Sequence, residues 1–346
     1  MTTSPRSAFG AQFVGAAGFL NSPTYGLPPV FLIDALNRQL GEWQTGTMDV
    51  PAFDESVHRG RAAYAQLVGV GVESVAMGGS VSALLGLVAS SIPDGAKVAT
   101  LAGEFTSTTF PFAAQAGRGV TVTEMTAEEL IAAAADYDVV AASLVQSADG
   151  ELLDVDRLRA ALTGADTITV IDVTQAVGWK ALDLGWVDVT AAAVYKWLMA
   201  PRGTAWMSLS DRVARRMTPH LANWYASSQP WSTIYGLPLR LADDARRFDT
   251  SPAWFGVLGA GLTLPWLASL DRDAVEAHCV GLASQLRGEF ELPPVDSAIV
   301  SLPFADAADK LRSAGVMASV RAGAVRVGFH LYNTEDDLQR LLDALR

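Results

Sequence analysis

Short apolar runs alternate with amphipathic runs through the middle of the chain. Apolar stretches rich in Val, Ile and Thr predict strands over residues 73–77, 97–101, 120–123, 138–142 and 167–172. Helical spacing of the apolar positions predicts helices over residues 80–92, 130–134 and 155–162. Strands and helices that alternate at this pace indicate βαβ units, and therefore a mostly parallel sheet with helices on both faces.

The pattern changes near residue 253. A long helical region is predicted over residues 254–286 with a break near 269–271, followed by strands over 298–302 and 324–328 and helices over 305–314 and 334–345. Thr334 and the acidic residues after it are typical of a helix N-terminus. We therefore expect a large α/β domain over residues 20–245, and a smaller α+β domain built from residues 1–19 and 246–346.

Composition narrows the classes of function. The chain has 346 residues, half of them hydrophobic, and a formal net charge of −12, which disfavours binding to nucleic acid because phosphate backbones attract Lys and Arg. A single cysteine excludes a disulfide within the chain, and the four histidines show no metal-ligand spacing. Neither a signal segment nor an apolar run of membrane-spanning length is apparent, so we expect a cytoplasmic protein.

Three polar residues stand out in the region after residue 167. Asp172 ends the clearest buried strand, Gln175 follows three positions later, and Lys196 comes at the end of the next predicted strand. Ligands of parallel sheets bind beyond the carboxyl ends of the strands, where these side chains would meet. The set suits pyridoxal 5′-phosphate (PLP), with a lysine for the Schiff base and a carboxylate for the pyridine nitrogen. The alternative is an ordinary capping Asp and an edge Lys.

The surrounding motifs extend this interpretation. The stretches DVTQAVG (172–178) and YKWLMAPRG (195–203) resemble the class V aminotransferase family of fold-type I PLP enzymes. GGSVSALLGLVAS (78–90) resembles its phosphate-binding segment, RRFDTSP (246–252) its turn before the interdomain helix, and residues 325–345 its C-terminal signature. The family includes cysteine desulfurases, kynureninases, isopenicillin N epimerase-like proteins and C–S lyases. The resemblance implies a fold-type I α/β structure, a homodimer and bound PLP.

The resemblance also implies roles for individual residues around the cofactor. Lys196 would form the Schiff base and carry protons, Asp172 would pair with the pyridinium nitrogen, and Gln175 would bond the phenolate oxygen. The resemblance also implies contacts to the phosphate from Gly79, Ser80, Val81 and Tyr195, and from Ser251 of a neighbouring subunit. Phe105 would contact the face of the ring. The plainer interpretations are a helix cap at Ser80 and packing aromatics at Phe105 and Tyr195.

Substrate contacts follow in the same way. Arg326 would clamp the substrate carboxylate, for which a guanidinium fork is suited, and Ser147 lies where the family has a substrate-facing polar residue. The alternative for Arg326 is a surface arginine on an edge strand. Departures from the family are equally informative: Ala193 cannot bond the phosphate as the common serine does, and Phe105 replaces a proton-carrying histidine.

The predicted reaction begins with an external aldimine and removal of the Cα proton by Lys196. Our preference is β-elimination of the C–S lyase type on a cysteine conjugate, with transamination as the alternative and epimerisation less favoured. A cysteine desulfurase is disfavoured because residues 313–317 contain no cysteine nucleophile. A degenerate PLP fold that only binds ligands is least favoured. Aromatic residues of the segment 223–235 are expected to line a pocket for a bulky side chain or to pack at a dimer interface.

Overall fold

The structure is a computed structural model that describes residues 5–346. Its strands are β1 (Arg6–Ala8), β2 (Ala11–Phe13), β3 (Val75–Gly78), β4 (Lys97–Leu101), β5 (Thr121–Met125), β6 (Val139–Ser143), β7 (Ile168–Asp172), β8 (Val189–Ala193), β9 (Ala205–Leu209), β10 (Ile299–Leu302), β11 (Ser319–Arg321) and β12 (Ala324–Gly328). Its helices are α1 (Val30–Thr45), α2 (Phe53–Val68), α3 (Val81–Ser91), α4 (Thr106–Ala113), α5 (Ala127–Ala133), α6 (Val155–Ala161), α7 (Asp211–Ala214), α8 (Trp254–Ser269), α9 (Arg272–Glu289), α10 (Ala307–Ser313) and α11 (Glu335–Leu345).

A seven-stranded sheet in the order β3-β9-β8-β7-β6-β4-β5 forms the centre of the molecule. Its strands run parallel except β9, which is antiparallel to both β8 and β3. Strands such as β6 (VVAAS) and β7 (ITVID) are apolar on both faces because helices cover both faces. The predicted mostly parallel sheet of fold type I is therefore confirmed.

The two faces of this sheet carry separate apolar cores. One core joins α2 and α8 to the sheet, and the other lies under α3 and α4. Gly261 allows α8 to approach α2 closely, since a Cβ at this position would lie 2.6 Å from the backbone oxygen of Ser56. This close packing fixes α8, the helix that leads from the large sheet towards the C-terminal elements.

The C-terminal elements form a smaller layer around a three-stranded antiparallel sheet in the order β10-β12-β11. Apolar side chains from α9, α10 and α11 pack on this sheet. The predicted break in the long helical region is confirmed, since α8 ends at Ser269 and α9 begins at Arg272. Asp337 accepts a hydrogen bond from the backbone N–H of Thr334 at 3.0 Å and thereby caps α11.

Several elements differ from the sequence prediction. The strand predicted at 73–77 begins with a 3-10 turn at Val72–Ser74, and the strand predicted at 120–123 lies at Thr121–Met125. The helices α1, α2 and α4 and the strand β9 were not predicted, whereas β8 is the strand expected before Lys196. Within residues 5–346 no helix combines the length and the apolarity needed to cross a membrane. The division into two domains stays a prediction, and its first four residues lie outside the described range.

Candidate active site

A cavity lies at the carboxyl edge of the large sheet, where β3, β6, β7 and β8 end. Because these strands are parallel, the residues that follow them meet at this one edge. The predicted site residues that line the cavity are Gly79, Ser80, Val81, Phe105, Ser147, Asp172, Gln175, Tyr195 and Lys196. The structure thus brings together residues that the sequence spreads over more than a hundred positions.

Lys196 lies in the loop between the antiparallel neighbours β8 and β9, so both ends of its loop are anchored in the sheet. Its side chain is buried, and this burial lowers the pKa of the amine to about 8. The Asp172 carboxylate acts in the opposite direction, and nearby arginines add to the lowering. A buried amine with this pKa is partly neutral near pH 8, as nucleophilic attack on an aldehyde requires.

Asp172 is the last residue of β7 and is almost fully buried. One carboxylate oxygen accepts the backbone N–H of Thr174 at 2.8 Å, and the other lies 3.4 Å from the Thr108 hydroxyl. Burial raises the pKa of the Asp172 carboxyl, an effect that Thr174, Lys196 and Thr108 oppose. A protonated ring nitrogen in the cavity would neutralise the negative charge of a carboxylate that is buried in this way.

Gln175 is held by two tryptophans. Its side-chain oxygen accepts the indole N–H of Trp197 at 2.8 Å, while its backbone oxygen accepts the indole N–H of Trp179 at 2.6 Å. Its side-chain nitrogen donates to the backbone oxygen of Pro23 and to the Ser147 hydroxyl, each at 3.0 Å. The amide orientation is therefore set by its partners, with the nitrogen facing the cavity side at Ser147.

The end of the cavity near α3 is suited to an anion. Ser80 caps α3, and its hydroxyl accepts the backbone N–H of Ala83 at 3.2 Å. The free N–H groups of the first turn of an α-helix favour negative charge. Thr204 lines the same cavity, and its buried hydroxyl has no hydrogen-bond partner among residues 5–346. An unsatisfied buried hydroxyl beside a helix N-terminus fits the phosphate of PLP.

Phe105 lies over the lysine at the mouth of the cavity. Its ring centroid is 5.3 Å from the Lys196 nitrogen. The preceding residue, Glu104, is buried and accepts three hydrogen bonds of 2.6 Å, from the backbone N–H of Phe105 and from the N–H and hydroxyl of Ser143. Burial raises the pKa of the Glu104 carboxyl. Sequence reasoning missed Glu104, although it stands directly before Phe105.

Arg326 belongs to β12, the central strand of the small sheet, and is 1% exposed. The alternative of a surface arginine on an edge strand is therefore wrong. Its guanidinium donates to the backbone oxygen and hydroxyl of Ser147 and to the hydroxyls of Thr24 and Ser319, all of which are neutral. Its Nε has no partner within the described chain, and burial lowers its pKa to about 10. A buried cation held only by neutral groups is suited to an anionic ligand.

The segment before α1 forms a wall of the site that the sequence did not indicate. Pro23 accepts the Gln175 amide, and Thr24 accepts the Arg326 guanidinium. The backbone N–H of Gly26 donates to the backbone oxygen of Tyr195 at 3.0 Å. A Cβ at Gly26 would lie 2.1 Å from the backbone oxygen of Lys196, so only glycine fits against the lysine loop.

Two groups of predicted residues lie outside the cavity. Ser251 is exposed and does not line the cavity of its own chain, so its expected contact from a neighbouring subunit stays a prediction. In the aromatic segment, Tyr225 and Trp231 both donate hydrogen bonds to Asp54, at 2.8 and 2.6 Å, and Tyr235 is 87% exposed. None of these residues lines the cavity of the single chain, and their packing at a dimer interface stays a prediction.

Other cavity residues were not singled out from the sequence. Thr174 lies between Asp172 and Gln175 in the DVTQ stretch, and Arg202 follows the lysine in the PRG stretch. Both lie inside stretches that resemble the family, so their positions in these stretches could have identified them as site residues. Ser143 ends β6 and could have been found as a polar residue at the carboxyl end of a buried strand.

Comparison with known proteins gives one family and several similar chains. Residues 78–298 match the family model described as "Aminotransferase class-V". The chain is 24% identical over 315 residues, 84% of this chain and 83% of the relative, to the "Uncharacterized aminotransferase YcbU" of Bacillus subtilis (strain 168).

Solved structures resemble the whole fold. The cystine C–S lyase C-DES, in complex with its product cysteine persulfide, superposes with a TM-score of 0.82 at 19% identity and covers 96% of this chain and 97% of that one. The cysteine desulfurase CsdA from Escherichia coli gives 0.80 at 17% identity, covering 95% and 94%. At these identities the likeness concerns the fold.

Proposed function

Since the chain belongs to the aminotransferase class V family, and is thereby a PLP-dependent enzyme, we propose that it acts on an amino acid by β-elimination. The observation that carries this proposal is a pair of unusual cations, one of which lines the cavity while the other is bonded to Ser147 in the cavity wall. Lys196 is a buried amine with a pKa of about 8, and Arg326 is a buried guanidinium bonded only to neutral groups. The first suits proton transfer and the second suits a carboxylate.

The residues around the cavity fit the cofactor. Lys196 would hold it covalently, Asp172 would bond its ring nitrogen and Gln175 its phenolate oxygen. The remaining contacts that we propose are those of Gly79, Ser80, Val81 and Tyr195 to the phosphate and of Phe105 to the ring face. Bound PLP supplies an electron sink for the electron pair that remains on Cα after loss of its proton.

Within this arrangement Lys196 acts as the general base. Burial keeps a fraction of its amine neutral near pH 8, so it can accept the Cα proton of the substrate. The same ammonium can then give its proton to the leaving group. Phe105, on the exposed side of the amine, cannot carry protons, so Lys196 would do so alone. This argues for elimination over epimerisation, which returns the proton on the opposite face.

Arg326 would orient the substrate. A carboxylate that receives the fork of the guanidinium would replace or join the hydroxyls of Ser147 and Thr24. Because Ser147 also accepts the Gln175 amide at 3.0 Å, the carboxylate site and the cofactor site share one hydrogen-bonded residue. We propose that this shared contact fixes the distance between the substrate carboxylate and Lys196.

Two other reactions are weighed against elimination. Transamination is the second candidate, favoured by the likeness to a relative named an aminotransferase. Cysteine desulfuration through a persulfide is disfavoured, because the single thiol, Cys279, is fully buried in α9 and burial raises its pKa. A thiol in this state is a poor nucleophile.

Absorption spectroscopy of the purified protein with added PLP tests the proposal. We expect a visible band from covalently held cofactor, and borohydride should fix the adduct on Lys196, as peptide mapping would reveal. Amino acids and cysteine conjugates are then added as a panel. Release of a keto acid and ammonia identifies elimination, whereas conversion of the cofactor to its amine form identifies transamination. Cofactor fixed at another lysine would contradict the assignment of Lys196.

We further propose a cytoplasmic homodimer. The apolar side chains of Tyr235, Leu237 and Leu239 are 87%, 90% and 63% exposed, an arrangement typical of a subunit contact. In such a dimer Ser251 of one copy would reach the cofactor phosphate of the other. Sedimentation equilibrium tests the state, and a monomer at micromolar concentration would contradict it.

A further inference from the structure

An apolar groove lies beside the cavity, between α1 and the loop that follows Lys196. Its apolar walls are formed by Tyr25, Pro28, Ile33, Leu36, Met199 and Pro201. Its volume is about 490 Å³, within the range of roughly 300–1,000 Å³ that is typical of sites for small organic ligands. The proposed reaction does not use this groove.

The groove and the cavity are neighbours. Tyr195 and Arg202 line both of them. Thr24 lines the groove and Ser147 lines the cavity, and both accept hydrogen bonds from the Arg326 guanidinium. The groove therefore begins next to the proposed carboxylate anchor, beside the space that a bound amino acid would occupy.

One residue in the groove wall, Met199, has an unusual backbone conformation. Met199 has a φ of 55°, in the left-handed region that residues with a side chain seldom adopt. Its Cγ would lie 2.8 Å from a Cβ at Gly26, so the glycine makes room for it on the groove side. Strain of this kind persists where the surrounding structure requires it and clusters at ligand sites. A flexible thioether wall also adapts to ligands of different shape.

We propose that this groove receives the side chain of the substrate, and that the substrates are amino acids with a long or aromatic apolar side chain, such as cysteine with a bulky apolar group on sulfur. This inference rests on the proposed function. Thr24, Tyr195 and Arg202 supply polar groups to the groove lining. The six walls named above are apolar apart from the Tyr25 hydroxyl, so burial of apolar surface would supply the selectivity. Small side chains would leave the groove filled with water and gain nothing from it.

The experiment compares S-benzylcysteine with S-methylcysteine in the PLP-loaded enzyme. The variant Ile33→Trp fills the groove from α1, and Leu40→Trp adds the same side chain to an exposed position of the same helix outside the groove. We expect the ratio of kcat/KM for the benzyl over the methyl substrate to fall at least about tenfold in Ile33→Trp. The ratio should stay unchanged in Leu40→Trp. An equal ratio in all three proteins overturns the proposal.

A binding measurement separates this inference from the reaction itself. The probe is 4-phenylbutanoate, which has a carboxylate and an aromatic chain but no amine, so its binding needs no chemistry. Calorimetry should give a dissociation constant that rises at least about tenfold in Ile33→Trp and not in Leu40→Trp. If neither cysteine substrate reacts but 4-phenylbutanoate binds as expected, the elimination reaction is contradicted and the role of the groove is still supported.

Sedimentation of the same variants provides the remaining outcome. If Ile33→Trp dissociates an oligomer that Leu40→Trp leaves intact, the groove is covered by a second copy of the chain and cannot receive a side chain. That result, or unaltered binding of 4-phenylbutanoate in Ile33→Trp, overturns the proposal.

Discussion

The indole N–H of Trp197, the residue directly after Lys196, donates to the side-chain oxygen of Gln175 at 2.8 Å. This bond links the lysine loop to the residue proposed to bond the cofactor ring. Because the Gln175 oxygen is occupied by Trp197, its nitrogen is left to face Ser147 and the cavity. The lysine and the amide are thus positioned together by one buried contact.

Replacement of Trp197 by Phe should weaken cofactor binding. The change leaves the buried Gln175 oxygen without a donor, at a cost of roughly 1–3 kcal/mol, and lets the amide rotate. We expect the dissociation constant for PLP to rise about tenfold, as measured by absorption titration. The matched control is Trp179→Phe, since Trp179 donates to the backbone oxygen of the same residue and not to its side chain. Equal effects of the two variants on PLP affinity would contradict an orienting role for Trp197.

The rate at which Lys196 reacts with PLP should depend on pH, with a midpoint near pH 8. Only the neutral amine attacks the aldehyde, and burial lowers the pKa of Lys196 to about 8, so the rate rises as pH increases through this value. The Asp172 carboxylate favours the charged amine, so Asp172→Asn should move the midpoint to lower pH. Borohydride trapping between pH 6 and 10 measures the rate.

The control for this shift is Asp138→Asn. Asp138 precedes β6 and accepts the backbone N–H of Lys97 at 2.7 Å, at the amino edge of the sheet. Its removal should leave the midpoint in place. A midpoint that rises in Asp172→Asn would show that the carboxylate does not act on the amine as proposed.

Substitution of Arg326 by Lys should impair substrate binding more than turnover. Lysine keeps the charge but has no fork with which to hold a carboxylate and its present neutral partners. We expect KM for the amino acid to rise about 10- to 100-fold with a smaller change in kcat. Arg321→Lys, an exposed arginine on β11, is the control. Steady-state kinetics measures both constants, and a fall in kcat with an unchanged KM would contradict the proposed role of Arg326 in binding the substrate carboxylate.

A buried ion pair beneath the site should dominate local stability. Arg61 of α2 bonds Asp249 at 2.5 Å, and Asp249 also accepts the backbone N–H of Met77 in β3 at 2.7 Å. Arg61→Ala leaves this carboxylate buried and unpaired, so the free energy of unfolding should fall by about 3–5 kcal/mol. Arg59→Ala, whose pair with Glu55 is exposed, should change it by less than about 0.5 kcal/mol. Urea unfolding measures both, and similar values would refute the role of the pair.

The sequence was sufficient for those parts of the site that lie at strand ends. Asp172 and Lys196 each follow a buried apolar run, so a parallel sheet brings them to one edge without further information. The antiparallel direction of β9 could not be predicted, because the sequence of a short apolar strand does not indicate its direction. Glu104 was missed for a related reason: two of its three hydrogen bonds come from Ser143 in the neighbouring strand β6.

Contacts between distant parts of the chain escaped prediction most completely. Pro23 and Thr24 have no motif of their own, and their roles come from Gln175 and Arg326 across the fold. For the aromatic segment, composition left open a pocket or a dimer contact, and in the structure Tyr225 and Trp231 bond Asp54. Composition indicates which side chains are able to line a pocket, and only packing decides which of them do so.

Thr24 and Arg326 bond to each other although 302 positions separate them in the chain. A ribosome therefore makes the first wall of the carboxylate anchor 302 residues before the cation itself. Until β12 has left the exit tunnel, the nascent polypeptide has Lys196 and Asp172 but no Arg326. The cofactor pocket can consequently take shape during synthesis before substrate recognition, which must await β12.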